Sequence, residues 1–173
     1  MDERILKKLI ERKDKLKSKI DFFMFKKLLV KQNLDVQEIK GHLEKAKHNL
    51  QFVTDTSKEK YSDWVVVGCY YAVYHMVLSL ILNKGYNSKN HDASLCILIQ
   101  EYFKDKINLE EIELINRLFI DYNDLIFYVH SKNKREEATY STKYKFDKNS
   151  VENLILKTRL FVAKVEEILR SDK

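Results

Sequence analysis

The chain has 173 residues, a formal net charge of +6, 45% hydrophobic and 34% charged residues, three glycines and no proline. That length fits one domain, and the balance of apolar and charged residues is that of a folded chain rather than a disordered one. Average usage would supply roughly a dozen glycines and about nine prolines, so turn-rich sandwiches and barrels are excluded, and glycine-cradled phosphate loops with them.

Apolar periodicity is helical along almost the whole chain. The first segment carries Ile5, Leu6, Leu9, Leu16 and Ile20, then a denser group at Phe22, Phe23, Phe25, Leu28 and Leu29, with a break expected near Ser18 to Asp21. It is long, basic and imperfectly amphipathic. Residues 1–31 hold eleven Lys/Arg against five Asp/Glu, and the rest of the chain balances at twenty-one of each sign. The whole net charge therefore belongs to this segment, either as a solvated basic face or as a contact for nucleic acid or another acidic surface. Met1-Asp2-Glu3-Arg4 opens with mixed charges, and no apolar run with a small-residue cleavage site follows. The segment does not read as a secretory signal, and a cytoplasmic protein is expected.

A second helix is predicted from the capping-box-like Asp35-Val-Gln-Glu38 through Val36, Ile39, Leu43, Ala46, Leu50 and Val53 to about Thr56. A third runs from Trp64 to Leu82 without a formal charge, and Lys84-Gly85 closes it as a glycine cap would. Its length matches a bilayer span. Tyr70, Tyr71, Tyr74 and His75 near its middle and the lack of flanking basic clusters argue instead for a buried bundle helix. Gly68, Ala72, His75 and Ser79 form a small or polar stripe along it, suited to close approach of a neighbouring helix.

A short helix is predicted from about Asp92, carrying Leu95, Ile99, Tyr102 and Phe103. The next begins at Asn108-Leu-Glu-Glu111, a second capping box, and continues through Val129 toward Arg135. The last carries Val151, Leu154, Ile155, Thr158, Phe161, Val162, Val165, Ile168 and Leu169. No strand pattern competes. The prediction is an all-α, up-and-down bundle of five or six helices, organised as a basic N-terminal helical segment over 1–34 and a bundle over 35–173.

Cys69 and Cys96 lie in apolar runs and lack the spacing of a zinc site or disulfide framework. The five histidines, His42, His48, His75, His91 and His130, include no His-Glu-x-x-His pair. No metal or other cofactor is expected. Between His130 and Lys148 six Lys/Arg face three Asp/Glu, with Tyr140, Tyr144 and Phe146 interleaved. Cations beside rings can hold phosphates and stack bases; the alternative is a solvated loop whose rings tuck back on the bundle.

Three stretches, taken in order, resemble the HEPN family, the nucleotide-binding domain of higher eukaryotes and prokaryotes. They are Ile39-Lys-Gly-His-Leu-Glu-Lys-Ala-Lys-His-Asn-Leu50, then Gly68-Cys-Tyr-Tyr-Ala-Val-Tyr-His75 through Lys84-Gly85 to the loop His91, and finally Arg135-Glu-Glu-Ala-Thr-Tyr140 with the closing helix. The resemblance covers about residues 36–170. It implies a four-helix up-and-down bundle of HEPN type with additional N-terminal and short helices, a homodimer with a polar cleft near its axis, and binding of a nucleotide or RNA. Arg135 then matches the phosphate-gripping arginine, supported by Lys132, Lys134 and Tyr140, and His91 matches a loop histidine. Tyr71, Tyr74 and His75 match the central helix, in a core or dimer-interface role. Small proteins of this type often pair with a separate minimal nucleotidyltransferase in toxin–antitoxin modules, and no membrane is implied.

The family's ribonucleases place a histidine four to six residues after the arginine. Here position 140 is tyrosine and no histidine follows His130. A phenol titrates near pH 10 and is a poor general base at neutral pH, so the expectation leans away from catalysis. Two alternatives stand beside binding. One is an active metal-independent endoribonuclease in which Arg135 works with Tyr140, His91 or His130 as a substitute base. The other is a structural dimer or adaptor using the Gly68/Ala72/Ser79 stripe as its seam.

Overall fold

The computed structural model describes residues 1–57, 61–131 and 148–172, and the side chains of all of these except 121–131. The described residues form seven helices and a two-stranded ribbon: α1 Glu3–Glu11, α2 Lys13–Phe25, β1 Leu29–Lys31, α3 Val36–Thr56, α4 Ser62–Asn83, β2 Tyr86–Ser88, α5 His91–Glu101, α6 Leu109–Ser131 and α7 Lys148–Ser171. The all-α expectation holds.

Capping chemistry sets several of the boundaries. Asp35 accepts from the backbone N–H groups of Gln37 and Glu38 and so starts α3. Glu38 does not complete that box, because its carboxylate accepts from the Gln32 amide at 2.9 Å. At α6 the box is reciprocal: Glu111 N–H donates to Asn108 Oδ1 and Asn108 N–H donates to Glu111 Oε2. Gly85, at φ +73°, ends α4 as expected.

Two expectations for the first segment are corrected. The break falls at Arg12, with extended backbone, rather than at Ser18 to Asp21. Lys13 occupies the core-facing phase between Leu9 and Leu16, and burying its ammonium there would be costly. Nor does the helix reach Leu29. Lys27 turns left-handed at φ 55°, with Leu28 N–H donating to the Phe23 carbonyl and Lys27 N–H to that of Met24. The chain then extends as β1, which pairs antiparallel with β2 in the register Leu29 with Ser88 and Lys31 with Tyr86. This ribbon departs from the strand-free expectation; its strands are three residues each and lie more than fifty residues apart in sequence, beyond the reach of a periodicity argument.

Helix directions follow from contacts between named residues. α3 runs antiparallel to α4, bringing His42 beside His75 and Val53 beside Gly68. α7 runs parallel to α4: Val151 and Ile155 cluster with Val65, Val66 and Cys69 at one end, and Asp172 bonds Asn83 and Lys84 at the other. Lys164 donates to both carboxylate oxygens of Glu111, tying α7 to α6. α4 is the one helix among the described residues long and apolar enough to cross a membrane, and 83% of its apolar window is buried inside the fold, as a central bundle helix requires. α1 and α2 pack on the bundle: Leu6, Leu9, Leu16, Ile20 and Phe23 join the same core as α4 and α5.

Candidate functional site

Fifteen residues of α4 are buried, and the polar ones among them must find partners within the fold. Gly68 is packed so closely that a Cβ there would lie 2.6 Å from Val53 Cγ2 and 3.1 Å from Phe52 Cδ1, both on α3. Ala72 is fully buried. The Ser79 hydroxyl donates to the His75 carbonyl at 3.0 Å, with the Ile39 carbonyl of α3 at 3.4 Å. The small-residue stripe is thus occupied by α3 of the same chain.

His75 meets α3 in the same seam. Its Nδ1 lies 2.9 Å from His42 Nδ1, the two rings stack at 5.1 Å, and His75 is only 6% exposed. Burial, then His42, then Lys45 push His75 down to about 4. Burial also lowers His42, against the pull of Glu38. Both imidazoles are therefore neutral at pH 7, one donating and the other accepting.

The rings continue from this pair across α4. His75 contacts Tyr71 and Tyr74; Tyr74 stacks on Tyr70 and meets His91 edge-on. His91, the first residue of α5, stacks on Phe119 of α6 at 4.3 Å, and the Tyr70 hydroxyl hydrogen-bonds its Nε2 at 2.9 Å. Asn90 caps α5 by accepting from Ala93 N–H, which fixes His91 at the helix entry. Burial lowers His91 although Asp92 beside it pulls upward, and burial raises Tyr74.

The result is a band of imidazole, phenol and phenyl rings crossing α3, α4, α5 and α6. Such rings can hydrogen-bond and stack, and a neutral imidazole among them can accept a proton. Of the residues singled out from sequence, Tyr71, Tyr74, His75 and His91 come together here. Sequence reasoning does not mark His42, Tyr70 and Phe119 as members of the site; His42 sits at the apolar phase between Ile39 and Ala46, a signal that it faces a neighbour. Arg135, Tyr140, Lys132 and Lys134 lie outside the described residues, and so does the side chain of His130. Among the described residues no cluster of three or more His, Cys, Asp or Glu could hold a metal ion.

Residues 39–168 match the HEPN domain model. Two curated relatives from Methanocaldococcus jannaschii, both named as putative toxins, are 26% identical over 136 residues and 29% identical over 139 residues. Those alignments span 78% and 80% of this chain and 84% and 94% of the relatives. The family match takes in α4 to α6 and nearly all of α3 and α7, so both the bundle and its imidazole band fall within it: the chain belongs to the HEPN family.

Proposed function

We propose that this protein is a nucleotide- or RNA-binding HEPN domain acting as the toxin-like component of a two-protein module, with a separate minimal nucleotidyltransferase as its partner and a homodimer as its working form in the cytoplasm. The observation that carries the reading is Arg135-Glu-Glu-Ala-Thr-Tyr140, set among six cations and three aromatics in the His130–Lys148 segment of a chain whose bundle matches the family. The names of the two relatives support the toxin-like role. Arg135 grips a phosphate through its planar fork, Lys132 and Lys134 add charge, and Tyr140 donates a hydrogen bond or stacks on a base. His91 assists from the start of α5. The test is titration with mononucleotides and RNA: wild type binds, and Arg135→Ala loses at least tenfold in affinity. Equal binding by the two proteins, or none by either, overturns the assignment.

One observation favours a second reading, an active endoribonuclease. His91 stands at the entry of α5, and burial lowers it further below neutrality, so its ring is in the unprotonated state that a general base requires. Incubating RNA with the protein in chelator tests it. Cleavage lost in both Arg135→Ala and His91→Gln supports catalysis through this pair; absence of cleavage, or cleavage that survives either change, rejects it.

A further inference from the structure

The charge of this chain is more localised than the N-terminal segment as a whole. Residues 1–11 balance at three of each sign, whereas residues 12–31 hold eight Lys/Arg against Asp14 and Asp21 alone, so the entire +6 resides on α2, its two caps, the turn at Lys27 and β1. Asp14 is already engaged by the Arg12 guanidinium at 2.8 Å. Lys13, Lys15, Lys17, Lys26, Lys27 and Lys31 are exposed and make no ion pair with the described residues. This stretch precedes the family match, which begins at residue 39.

Helical spacing aligns these groups. Leu16, Ile20 and Phe23 turn inward to the core. Lys15, Lys19 and Phe22 follow one another at i, i+4 and i+7 along the adjoining outer side, and Lys26 at the cap continues the line at i+11. Phe22 is 46% exposed and Phe25 is 80% exposed, and each has an ammonium over its face: Lys19 at 5.4 Å from Phe22 and Lys26 at 5.7 Å from Phe25. Past the turn, Lys31 lies over Tyr86 at 5.7 Å. The outer surface is a row of cations with open rings set between them.

We propose that the outer face of α2, with Lys15, Lys19, Phe22, Phe25 and Lys26 and the adjoining Lys31 of β1, binds single-stranded nucleic acid. Lys15 and Lys19 stand about 6 Å apart along the helix and Lys26 about 10 Å further on, placed to meet phosphates along one strand, and the exposed rings give unstacked bases a platform. A lipid surface fits less well, since interfacial helices need a continuous outward apolar face and that face of α2 is turned to the core. An acidic polypeptide would satisfy the lysines but leave the rings without a flat partner. None of these residues belongs to the Arg135 assignment, and the two assignments stand or fall separately.

The test uses fluorescence anisotropy of the full chain with labelled twelve-nucleotide single strands of mixed sequence, one arm RNA and one DNA, across a salt series. Replacing Lys15, Lys19 and Lys26 by Gln lowers affinity at least tenfold and reduces the log–log salt slope by about 2, at roughly 0.7 for each phosphate no longer neutralised. Phe25→Ala, at a side chain that is almost wholly exposed, weakens binding about fivefold or more and leaves the slope unchanged. Equal loss in both arms assigns the surface to single strands in general, and loss in the RNA arm alone narrows it to RNA. Arg135→Ala, run in parallel, retains the dependence on the α2 lysines. An unchanged slope in the triple variant, an unchanged affinity in Phe25→Ala, or competition by polyglutamate as effective as by unlabelled strand overturns the proposal.

Discussion

His42 Nδ1 and His75 Nδ1 stand 2.9 Å apart across the seam between α3 and α4, so one ring must donate and the other accept. The pair holds the two helices together only while it is neutral or singly protonated. His75 is held down to about 4 by burial, by His42 and by Lys45, against an ordinary value near 6.5. Above pH 6.5 the ring is neutral in the folded and unfolded chain and stability is complete. Between 6.5 and about 4 the unfolded chain takes up a proton that the folded chain refuses, and stability falls by on the order of 3 kcal/mol. His42 is shifted in the same direction. Urea midpoints measured from pH 7.5 to 4 show this loss in the wild type and a flatter profile in His75→Gln; identical slopes would place the titration elsewhere.

Two glycines in neighbouring helices give opposite outcomes on the same substitution. Gly41 in α3 has nothing within 4 Å of a Cβ, so Gly41→Ala gains helix propensity and stabilises by about 0.5–1 kcal/mol. Gly68→Ala would gain as much propensity but drives its methyl into Val53 Cγ2 at 2.6 Å. Overpacking of that kind costs about 1–3 kcal/mol, so the variant is less stable than the wild type. Thermal melts of the two proteins side by side check the pair.

Asp172, near the end of α7, receives the ammonium groups of Lys106 and Lys84 and the amide of Asn83. The hydrogen bond from Lys106 holds its carboxyl below the usual carboxylate range, with Lys84 adding to it and burial opposing. Asp172→Asn costs about 1–2 kcal/mol at pH 7. A depressed carboxylate contributes above its unfolded value and loses that contribution as pH falls through the folded one, so wild type and variant converge in acid. Chemical denaturation at pH 7 and pH 3 distinguishes this clasp from a simple packing role.

Both thiols are shielded. Burial pushes Cys69 up to about 11 and Cys96 up to about 12, and neither side chain reaches solvent. The thiolate is the reactive form, so a chromogenic disulfide reagent at pH 8 leaves both cysteines untouched in the native protein and modifies both in denaturant. Fast modification of either under native conditions would contradict the packing around α4 and α5.

What the sequence made legible was what local chemistry decides. Asp35, Asn108 and Gly85 mark boundaries because a cap is an interaction of the chain with its own backbone, complete within three or four residues. The helical period over 36–56, 109–129 and 151–169 named the buried faces for the same reason. The His42–His75 bond, the stacking of His91 on Phe119 and the β1–β2 pairing depend on which elements become neighbours, and spacing along the chain does not encode that. The resemblance pointed to Tyr71, Tyr74 and His75 on one helix and to His91 in a separate binding role, but neither to their meeting nor to the partners that α3 and α6 bring to them.

The seven residues from Ala93 to Ile99 are all buried, which a short helix on the outside of a bundle achieves only with cover on both sides. Leu16, Ile20 and Phe23 of α2 belong to the same core and help to supply that cover, and β1 fastens their helix to the far side of the α4–α5 turn. The cooperative unit of this molecule is therefore larger than its family signature. A fragment trimmed to residues 39–168 would present α5 to water as an open apolar flank, and its natural fate would be self-association rather than independent folding.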